Sequence, residues 1–247
     1  MTEAGPAIAW HPSPNHGERR GGGRVDLLVL HYTGMPDAGA ALARLCDPAA
    51  QVSAHYLVPQ DGHVCQLVAE HRRAWHAGLA CWRGERDVNS RSIGVEIAHP
   101  GHAGGYRPFP VAQMAAVLGL CRGIVARHDI PARNVVAHSD VSPNRKEDPG
   151  ELFPWRNFAR AGIGLWPGRC DPMPVPPLSS VQRALAAYGY DLEATGSHDL
   201  ATRNAVLAFQ RHFRPARLNG VFDGECTAVL ADLLAQCGCA WPEACLA

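Results

Sequence analysis

The chain has 247 residues, of which 47% are hydrophobic and 19% are charged, a balance that permits a globular core. Lys and Arg together number 23, as do Asp and Glu, so the formal net charge at pH 7 is zero. This charge balance gives no electrostatic basis for binding nucleic acid or an anionic membrane, and no apolar run is long enough for a membrane span.

The N-terminal part is rich in Pro, Gly and His, so residues 1–24 are predicted to form an irregular lead-in. This segment lacks the basic start, the apolar run and the small-residue cleavage site of a secretory signal. On that basis we expect a cytoplasmic location.

The first buried strand is predicted at residues 25–30, where Val-Asp-Leu-Leu-Val-Leu forms a β-rich apolar run directly before a histidine. A short helix is expected over residues 37–46, with Asp37 as its N-cap. Further along, the dipeptide Asp61-Gly62 separates two apolar runs and predicts a β-hairpin.

Two more strands and a long helix follow. Ser-Ile-Gly-Val-Glu-Ile (92–97) and Val-Val-Ala-His (135–138) predict buried strands, and residues 111–128 carry the longest helical pattern. Strands mixed with helices in this order predict an α/β domain over residues 25–164, with a mixed central β-sheet flanked by helices.

The pattern changes after residue 164. Residues 165–177 contain five prolines and predict a stiff linker. Residues 178–236 then show three amphipathic stretches with turns between them, which predict a small separate three-helix bundle. The apolar residues of the three stripes are Val181, Leu185 and Tyr188, then Val206, Phe209 and Phe213, then Leu230, Leu233 and Leu234.

The nine cysteines are an odd number, so they cannot all pair within one chain. Four lie among apolar segments and are expected to be buried thiols, namely Cys46, Cys65, Cys81 and Cys121. Cys237, Cys239 and Cys245 lie in the tail of residues 237–247, where a disulfide is one option. A metal cluster there is less favoured, because only one residue separates Cys237 from Cys239.

Histidines follow two of the buried strands, His31 after the first and His138 after the last. A side chain at a strand end is held by the sheet while it faces the cleft beyond. The loop of residues 139–149 adds carboxylates close to its end. Two imidazoles and one carboxylate would give zinc three ligands and leave a fourth position open for water.

Several short blocks resemble the N-acetylmuramoyl-L-alanine amidase family, in that family's order. The blocks are Val-Leu-His-Tyr-Thr (29–33), Ser-Ala-His-Tyr-Leu-Val (53–58), Ala-Trp-His-Ala-Gly (74–78), Ser-Ile-Gly-Val-Glu-Ile (92–97), Val-Val-Ala-His-Ser-Asp (135–140), Arg-Lys-Glu-Asp-Pro-Gly (145–150) and Leu-Phe-Pro-Trp (152–155). The resemblance covers about residues 25–158 and implies the type 2 amidase fold, which T7-type lysozyme and the peptidoglycan recognition proteins share. It is close to the bacterial anhydro-muropeptide amidases.

The resemblance implies one zinc ion on His31, His138 and Asp148, with Glu96 as catalytic glutamate and Lys146 as catalytic lysine. In such a site zinc activates water and the carbonyl, the carboxylate transfers a proton, and the cation stabilises the oxyanion. The implied reaction is hydrolysis of the amide between the lactyl group of (anhydro-)N-acetylmuramic acid and L-alanine. The substrate would be peptidoglycan or muropeptides, in cell-wall turnover or recycling.

Three further residues near these blocks have a candidate role. Trp75 and His76 are candidates for lining the substrate cleft, with core packing as an equal alternative. His55 is expected to be structural. Glu96 stands out even without the resemblance, because an unpaired carboxylate within an apolar strand is costly.

The C-terminal part resembles a peptidoglycan-binding three-helix module over about residues 178–236. The matching stretches are Val-Gln-Arg-Ala-Leu (181–185), Tyr-Gly-Tyr (188–190), Ala-Thr-Arg-Asn-Ala-Val (201–206), Ala-Phe-Gln (208–210) and Gly-Val-Phe-Asp (220–223). The turn at residues 214–218 is bulkier and more basic than is usual in that module. A wall-binding module favours the periplasm, which is therefore the alternative location.

Two other functions compete with the amidase. One is a catalytically inactive peptidoglycan-recognition protein of the same fold, although such proteins typically lose a metal ligand and all three positions are filled here. The other is a zinc endopeptidase that cuts within the stem peptide, which is disfavoured because the sequence lacks a His-Glu-x-x-His helix. The sequence predicts no oligomeric state.

Overall fold

A six-stranded sheet forms the centre of the computed structural model, which describes residues 8–242. Its strand order is β1-β5-β4-β9-β3-β10, and all neighbours are parallel except β4 and β5. The strands of this sheet are β1 (Ile8–Trp10), β3 (Leu27–Tyr32), β4 (Tyr56–Val58), β5 (Val64–Gln66), β9 (Ser92–Ile97) and β10 (Val135–Ala137). Two antiparallel pairs lie outside it, formed by β2 (His16–Glu18) with β6 (Arg72–Ala74) and by β7 (Cys81–Trp82) with β8 (Glu85–Arg86).

Eight α-helices accompany these strands within the described residues. They are α1 (Ala38–Cys46), α2 (Val88–Arg91), α3 (Val111–His128), α4 (His138–Val141), α5 (Trp155–Arg160), α6 (Leu178–Tyr188), α7 (Leu200–Phe213) and α8 (Gly224–Gln236). None of them is long and apolar enough to cross a membrane. The predicted α/β architecture with a mixed central sheet and three C-terminal helices is confirmed.

Strand β3 explains how both faces of the sheet become covered. All of Leu27, Leu28, Val29 and Leu30 are buried, because a strand in the middle of a two-sided layer has no solvent face. Leu28 and Leu30 pack in a core with apolar residues of α3 and α5. Leu27 and Val29 point to the opposite face and pack in a second core with residues of α6, α7 and α8.

Local signals located several elements closely. Helix α1 begins after Asp37, whose side chain accepts a hydrogen bond from the Ala40 amide, as an N-cap does. Strands β4 and β5 form the antiparallel hairpin predicted around Gly62, which has a positive φ of 85°. The last predicted strand is one residue shorter than expected, since His138 begins α4.

The prediction of an irregular lead-in over residues 1–24 is wrong for part of that segment. Strand β1 pairs with β5 at the edge of the central sheet, and β2 pairs with β6. Both strands have only three residues and are largely accessible, so their sequences lack the apolar alternation that marks a strand. Residues 1–7 lie outside the described part.

The C-terminal helices form the predicted three-helix bundle, and this bundle packs against the central sheet. Their apolar stripes share one core with Leu27, Val29 and Val136 of the central sheet. Two tyrosines, Tyr188 and Tyr190, pack edge-on against the fully buried Trp82. The bundle therefore replaces the helices that would otherwise cover this face of the sheet. Residues 165–177, which connect the two parts, contain no helix or strand, as predicted.

The predicted buried thiols agree with the structure for Cys65, Cys81 and Cys121, whereas Cys46 is only partly buried. Within residues 8–242, neither Cys237 nor Cys239 forms a disulfide. Cys245, the third member of the tail cluster, lies outside the described residues, so the expectation of a tail disulfide stays a prediction for that residue.

Candidate active site

The candidate site lies at the carboxyl ends of the parallel strands, where α/β proteins commonly place their ligands. His31 is the second-last residue of β3, and its register partner on β9 is Glu96. His138 follows β10 directly. Glu96, His138 and Asp148, at the end of the following loop, border a cleft of about 390 Å³, and His31 is fully buried next to His138 and Asp148.

Three side chains that are distant in sequence meet at the base of this cleft. The Nδ1 atoms of His31 and His138 are 2.9 Å apart, and each lies 3.1 Å from Oδ2 of Asp148. All three residues are buried. A hydrogen bond of 3.0 Å from the Ser139 amide to the Asp148 carbonyl ties the loop to the start of α4. The fold thus brings together the three predicted ligand positions.

The donor set of this cluster fits a metal ion. An ionised carboxylate oxygen only accepts hydrogen bonds, and a neutral imidazole nitrogen either donates or accepts. At most two of the three mutual contacts can therefore be hydrogen bonds, which leaves a repulsive contact in the absence of a cation. A cation would accommodate all three lone pairs at once.

The electrostatics of the cluster favour the protonation states that bind metals. Burial, followed by the neighbouring His138, lowers the pKa of His31 to about 4, although Asp148 opposes this shift. Burial would raise the pKa of Asp148, but the contacts with His138 and His31 outweigh it and hold that pKa below its ordinary value. Near pH 7 the cluster therefore presents a carboxylate and a neutral His31 imidazole, as metal binding requires.

Glu96 lies beside this cluster on the wall of the cleft. Its Oε2 atom is shielded from solvent, and no hydrogen-bond donor within residues 8–242 reaches it. Burial raises the pKa of Glu96 to about 8, the charge of Asp148 adds to the shift, and Lys146 opposes it. A carboxyl group with such a pKa can both take and release a proton near neutral pH.

The other predicted site residues also border the cleft. Lys146 is exposed on the loop before Asp148, and Trp75 is a half-buried residue that also lines the cleft. His76 is buried, and its two ring nitrogens face His31 and Ser92 rather than the open cleft. A contact of Trp75 or His76 with substrate stays a prediction. His55 is buried, lies outside the cluster of His31, His138 and Asp148, and accepts a hydrogen bond from the Gly94 amide, as expected for a structural histidine.

Sequence reasoning gave no role to three residues that hold this site together. Asn89 accepts hydrogen bonds from the backbone amides of residues 76 and 77. Ser92 contacts the ring of His76. Arg145 donates to the carbonyl oxygens of residues 77 and 79. Only Arg145 and Ser92 lie in blocks that carry the family resemblance, and their residue types alone give no signal of these contacts.

Comparison with known proteins decides the family. The sequence profile described as N-acetylmuramoyl-L-alanine amidase matches residues 21–151, more than half of the chain. The chain belongs to the N-acetylmuramoyl-L-alanine amidase family. The predicted enzyme class is thereby confirmed, a hydrolase of the amide between N-acetylmuramic acid and L-alanine in peptidoglycan and its fragments. A second profile, described as a putative peptidoglycan binding domain, matches residues 175–230 of this amidase.

Similar proteins cover most of the amidase. It is 41% identical to the N-acetylmuramoyl-L-alanine amidase AmiD of Escherichia coli (strain K12) over 237 residues, which cover 87% of this chain and 84% of AmiD. It is 32% identical to the 1,6-anhydro-N-acetylmuramyl-L-alanine amidase AmpD of Enterobacter cloacae over 164 residues, 60% of this chain and 86% of that protein.

Two similar solved structures contain muropeptides. The complex of Escherichia coli AmiD with the substrate anhydro-N-acetylmuramic acid-L-Ala-D-γ-Glu-L-Lys matches with a TM-score of 0.78 and 38% identity, covering 96% of this chain and 93% of the other. The Pseudomonas aeruginosa AmpDh3 complex with anhydromuramic pentapeptide matches with a TM-score of 0.79 and 33% identity, covering 92% and 95%. Both alignments include the C-terminal helices of the amidase, because an alignment that covers 92% or more of this chain must extend well beyond residue 164.

Proposed function

We propose that this amidase is zinc-dependent and hydrolyses the lactyl–L-alanine amide of 1,6-anhydro-muropeptides in cell-wall recycling. The observation that carries the proposal is the convergence of His31 Nδ1, His138 Nδ1 and Asp148 Oδ2 within 4.8 Å of one another. Two imidazoles and a carboxylate are the donor types of catalytic zinc sites that keep one position open. The anhydromuramyl ligands of the AmiD and AmpDh3 complexes support the substrate class.

His31, His138 and Asp148 would hold the zinc ion. When bound there, zinc supplies Lewis acidity toward an amide carbonyl and toward water. The neutral His31 imidazole and the ionised Asp148 carboxylate require no prior loss of a proton at pH 7.

Glu96 is the proposed proton carrier. Its unpartnered Oε2 faces the same end of the sheet as the metal cluster, and its raised pKa suits transfer in both directions. In the forward direction Glu96 takes a proton from the attacking water and delivers it to the departing amine of L-alanine. This delivery matters because an amide nitrogen leaves only when it is protonated.

Lys146 is the proposed electrostatic stabiliser. It borders the cleft two residues before Asp148, on a loop that its own backbone amide ties to the Ser142 carbonyl at 3.1 Å. A fixed ammonium group stabilises the negative charge that develops on the carbonyl oxygen as water adds. Trp75, which also lines the cleft, is proposed to contact the substrate.

The test combines metal analysis with product analysis. Purified protein is expected to contain about one zinc per chain and to release free peptide with an N-terminal L-alanine from anhydro-muropeptides, as identified by mass spectrometry. His31→Ala should lose the zinc and reduce the rate about a hundredfold or more. The matched control is His63→Ala, because His63 is an exposed histidine that does not line the cleft.

Two outcomes would contradict the proposal. If purified protein holds no zinc and His31→Ala is as active as wild type, the metal site is wrong. If intact sacculi are digested faster than anhydro-muropeptides in parallel reactions, the substrate is the intact wall instead. The cytoplasmic location, with the periplasm as its alternative, stays a prediction of the sequence that cell fractionation checks.

A further inference from the structure

Residues 76 and 77 contact the Nε2 atoms of the two proposed histidine ligands, on the side of each ring away from the metal site. His76 Nδ1 lies 3.0 Å from His31 Nε2, and the Ala77 carbonyl oxygen lies 3.1 Å from His138 Nε2. We propose that His76 and Ser92 are positioning residues that fix the tautomer of His31, so that its Nδ1 lone pair points at the metal. The inference rests on the proposed metal site and gives the buried histidine of the Ala-Trp-His-Ala-Gly block a specific role.

The tautomer of His138 follows from one contact. A backbone carbonyl oxygen accepts hydrogen bonds and never donates them. Since Nε2 of His138 faces the Ala77 carbonyl, this nitrogen carries the hydrogen atom. In a neutral ring the other nitrogen, Nδ1, then has the free lone pair, and it is the atom that faces Asp148 and His31. Metal-binding histidines commonly use such a carbonyl partner.

The tautomer of His31 follows from a longer chain of contacts that also starts at a carbonyl. The Ser92 hydroxyl donates its single hydrogen to the Val88 carbonyl oxygen at 2.6 Å. Ser92 Oγ, 3.1 Å from His76 Nε2, must therefore accept a hydrogen bond from that nitrogen. His76 Nδ1 then has the lone pair and accepts from His31 Nε2, which leaves Nδ1 of His31 free for the metal.

Neighbouring groups hold His76 in the orientation that these hydrogen bonds require. Its backbone amide donates to Asn89 Oδ1 at 3.1 Å, and the next amide along donates to the same oxygen at 2.8 Å. The ring lies directly over Gly94 of β9, where the Cβ of any other residue would overlap it. Gly94 is therefore required for close approach of the ring.

The burial of His76 separates this role from substrate binding. Only 9% of its surface is accessible, and both of its ring nitrogens are engaged by protein groups. A histidine that contacts substrate would keep one nitrogen directed into the cleft. A role through His31 predicts an effect on metal affinity, whereas substrate contact predicts an effect on KM with the metal affinity unchanged.

The experiment measures zinc affinity by chelator competition on the full chain. Ser92→Ala and His76→Phe are expected to weaken zinc binding about 10- to 100-fold. His76→Phe removes the ring that accepts a hydrogen bond from His31, and Ser92→Ala removes the hydroxyl that orients the His76 ring. At saturating zinc, the KM of these variants for an anhydro-muropeptide should stay within about twofold of wild type. His76→Gln, which retains an accepting oxygen, should recover part of the lost affinity. The matched control is Ser90→Ala. The Ser90 hydroxyl donates to Asp87 and takes no part in the hydrogen bonds that link Val88, Ser92, His76 and His31.

A second readout does not depend on activity. Long-range 1H–15N NMR spectra of zinc-free protein should show His76 as a single Nε2–H tautomer in wild type, because Ser92 fixes it without the metal. In Ser92→Ala, which removes one oxygen atom and should fold normally, the His76 ring should show mixed tautomers. If Ser92→Ala keeps wild-type zinc affinity and a single His76 tautomer, the positioning role is overturned while the amidase proposal stands. If wild type itself binds no zinc, the proposed function fails first.

Discussion

At the scale of single residues, Glu96 is the clearest example of a side chain that destabilises the fold and is therefore expected to have a function. Its Oε2 atom is shielded from solvent, and within residues 8–242 no donor reaches it, although an unpartnered buried carboxyl group is destabilising. Glu96→Gln keeps the shape but cannot carry the proton. We expect the variant to lose about a hundredfold or more in kcat, measured on anhydro-muropeptide, because general acid–base catalysis contributes at least that much.

Two controls accompany this variant. Glu96→Gln should bind zinc as wild type does and should be at least as stable to urea, since an amide avoids the cost of a buried carboxyl group. Glu193→Gln, at an exposed glutamate, should leave kcat unchanged. Retention of more than a tenth of the wild-type kcat by Glu96→Gln would contradict the role.

The proposed metal ligands could be predicted from the sequence, whereas the residues that position them through hydrogen bonds could not. His31, His138 and Asp148 could be proposed as ligands because they are metal-binding residue types within blocks that resemble a family, and the two histidines follow predicted strands. Asn89 and Ser92 act through hydrogen bonds to backbone groups and to a histidine ring. Such contacts depend on where the chain folds back, which the residue type does not reveal.

At the scale of elements, Glu70 joins α3 to the sheet. It accepts hydrogen bonds from Arg127 and His128 at the end of α3 and from the Tyr56 hydroxyl of β4. Burial would raise the pKa of Glu70, but the hydrogen bonds from Arg127, Tyr56 and His128 outweigh it and lower the pKa to about 2.

The lowered pKa of Glu70 predicts an acid-sensitive contribution to stability. The ordinary pKa is 4.5, so the stabilisation is complete above about pH 4.5 and is lost as the pH falls toward about 2. Glu70→Gln should reduce the free energy of unfolding by about 1–3 kcal/mol at pH 7 and by much less at pH 2.5, in urea titrations. An equal loss at both pH values would show that the carboxylate charge is not involved.

Long elements could be predicted from the sequence more accurately than short ones. Helix α3, with 18 residues, matches the predicted range of 111–128, because many turns of helix give a readable period. Strand β1 has three residues and takes its conformation from hydrogen bonds to β5, so it was missed. Short elements of this kind are defined by their partners, which lie elsewhere in the chain.

At the scale of the whole molecule, the C-terminal bundle and the catalytic sheet form one packing unit. The apolar stripes of α6, α7 and α8 were read correctly as buried faces, but a stripe does not reveal what it packs against. Here it packs on the side of β3 that carries Leu27 and Val29. The same face would be exposed to solvent if the bundle were a tethered, independent domain.

A buried polar cluster adds specificity to this interface. The carboxylate of Asp140, two residues after His138, accepts hydrogen bonds from His212 Nδ1 at 2.6 Å and from the Tyr190 hydroxyl at 2.8 Å. It also accepts from the Ala137 amide at 2.8 Å. The His212 ring stacks on Trp155 with a centroid distance of 3.8 Å. Helix α4, which begins at a proposed metal ligand, is therefore held by residues of the C-terminal module.

This arrangement predicts that the full chain unfolds in a single cooperative transition, because removing the bundle would expose one face of the sheet. His212→Ala leaves Asp140 short of a partner and should lower the free energy of unfolding by about 1.5–3 kcal/mol. Calorimetry should show the whole transition moving to lower temperature, whereas His198→Ala, at an exposed histidine of the same module, should leave it in place. Two separate transitions in wild type, or a shift confined to one of them, would mean that the module folds independently and that its contacts with α4 do not couple the two parts.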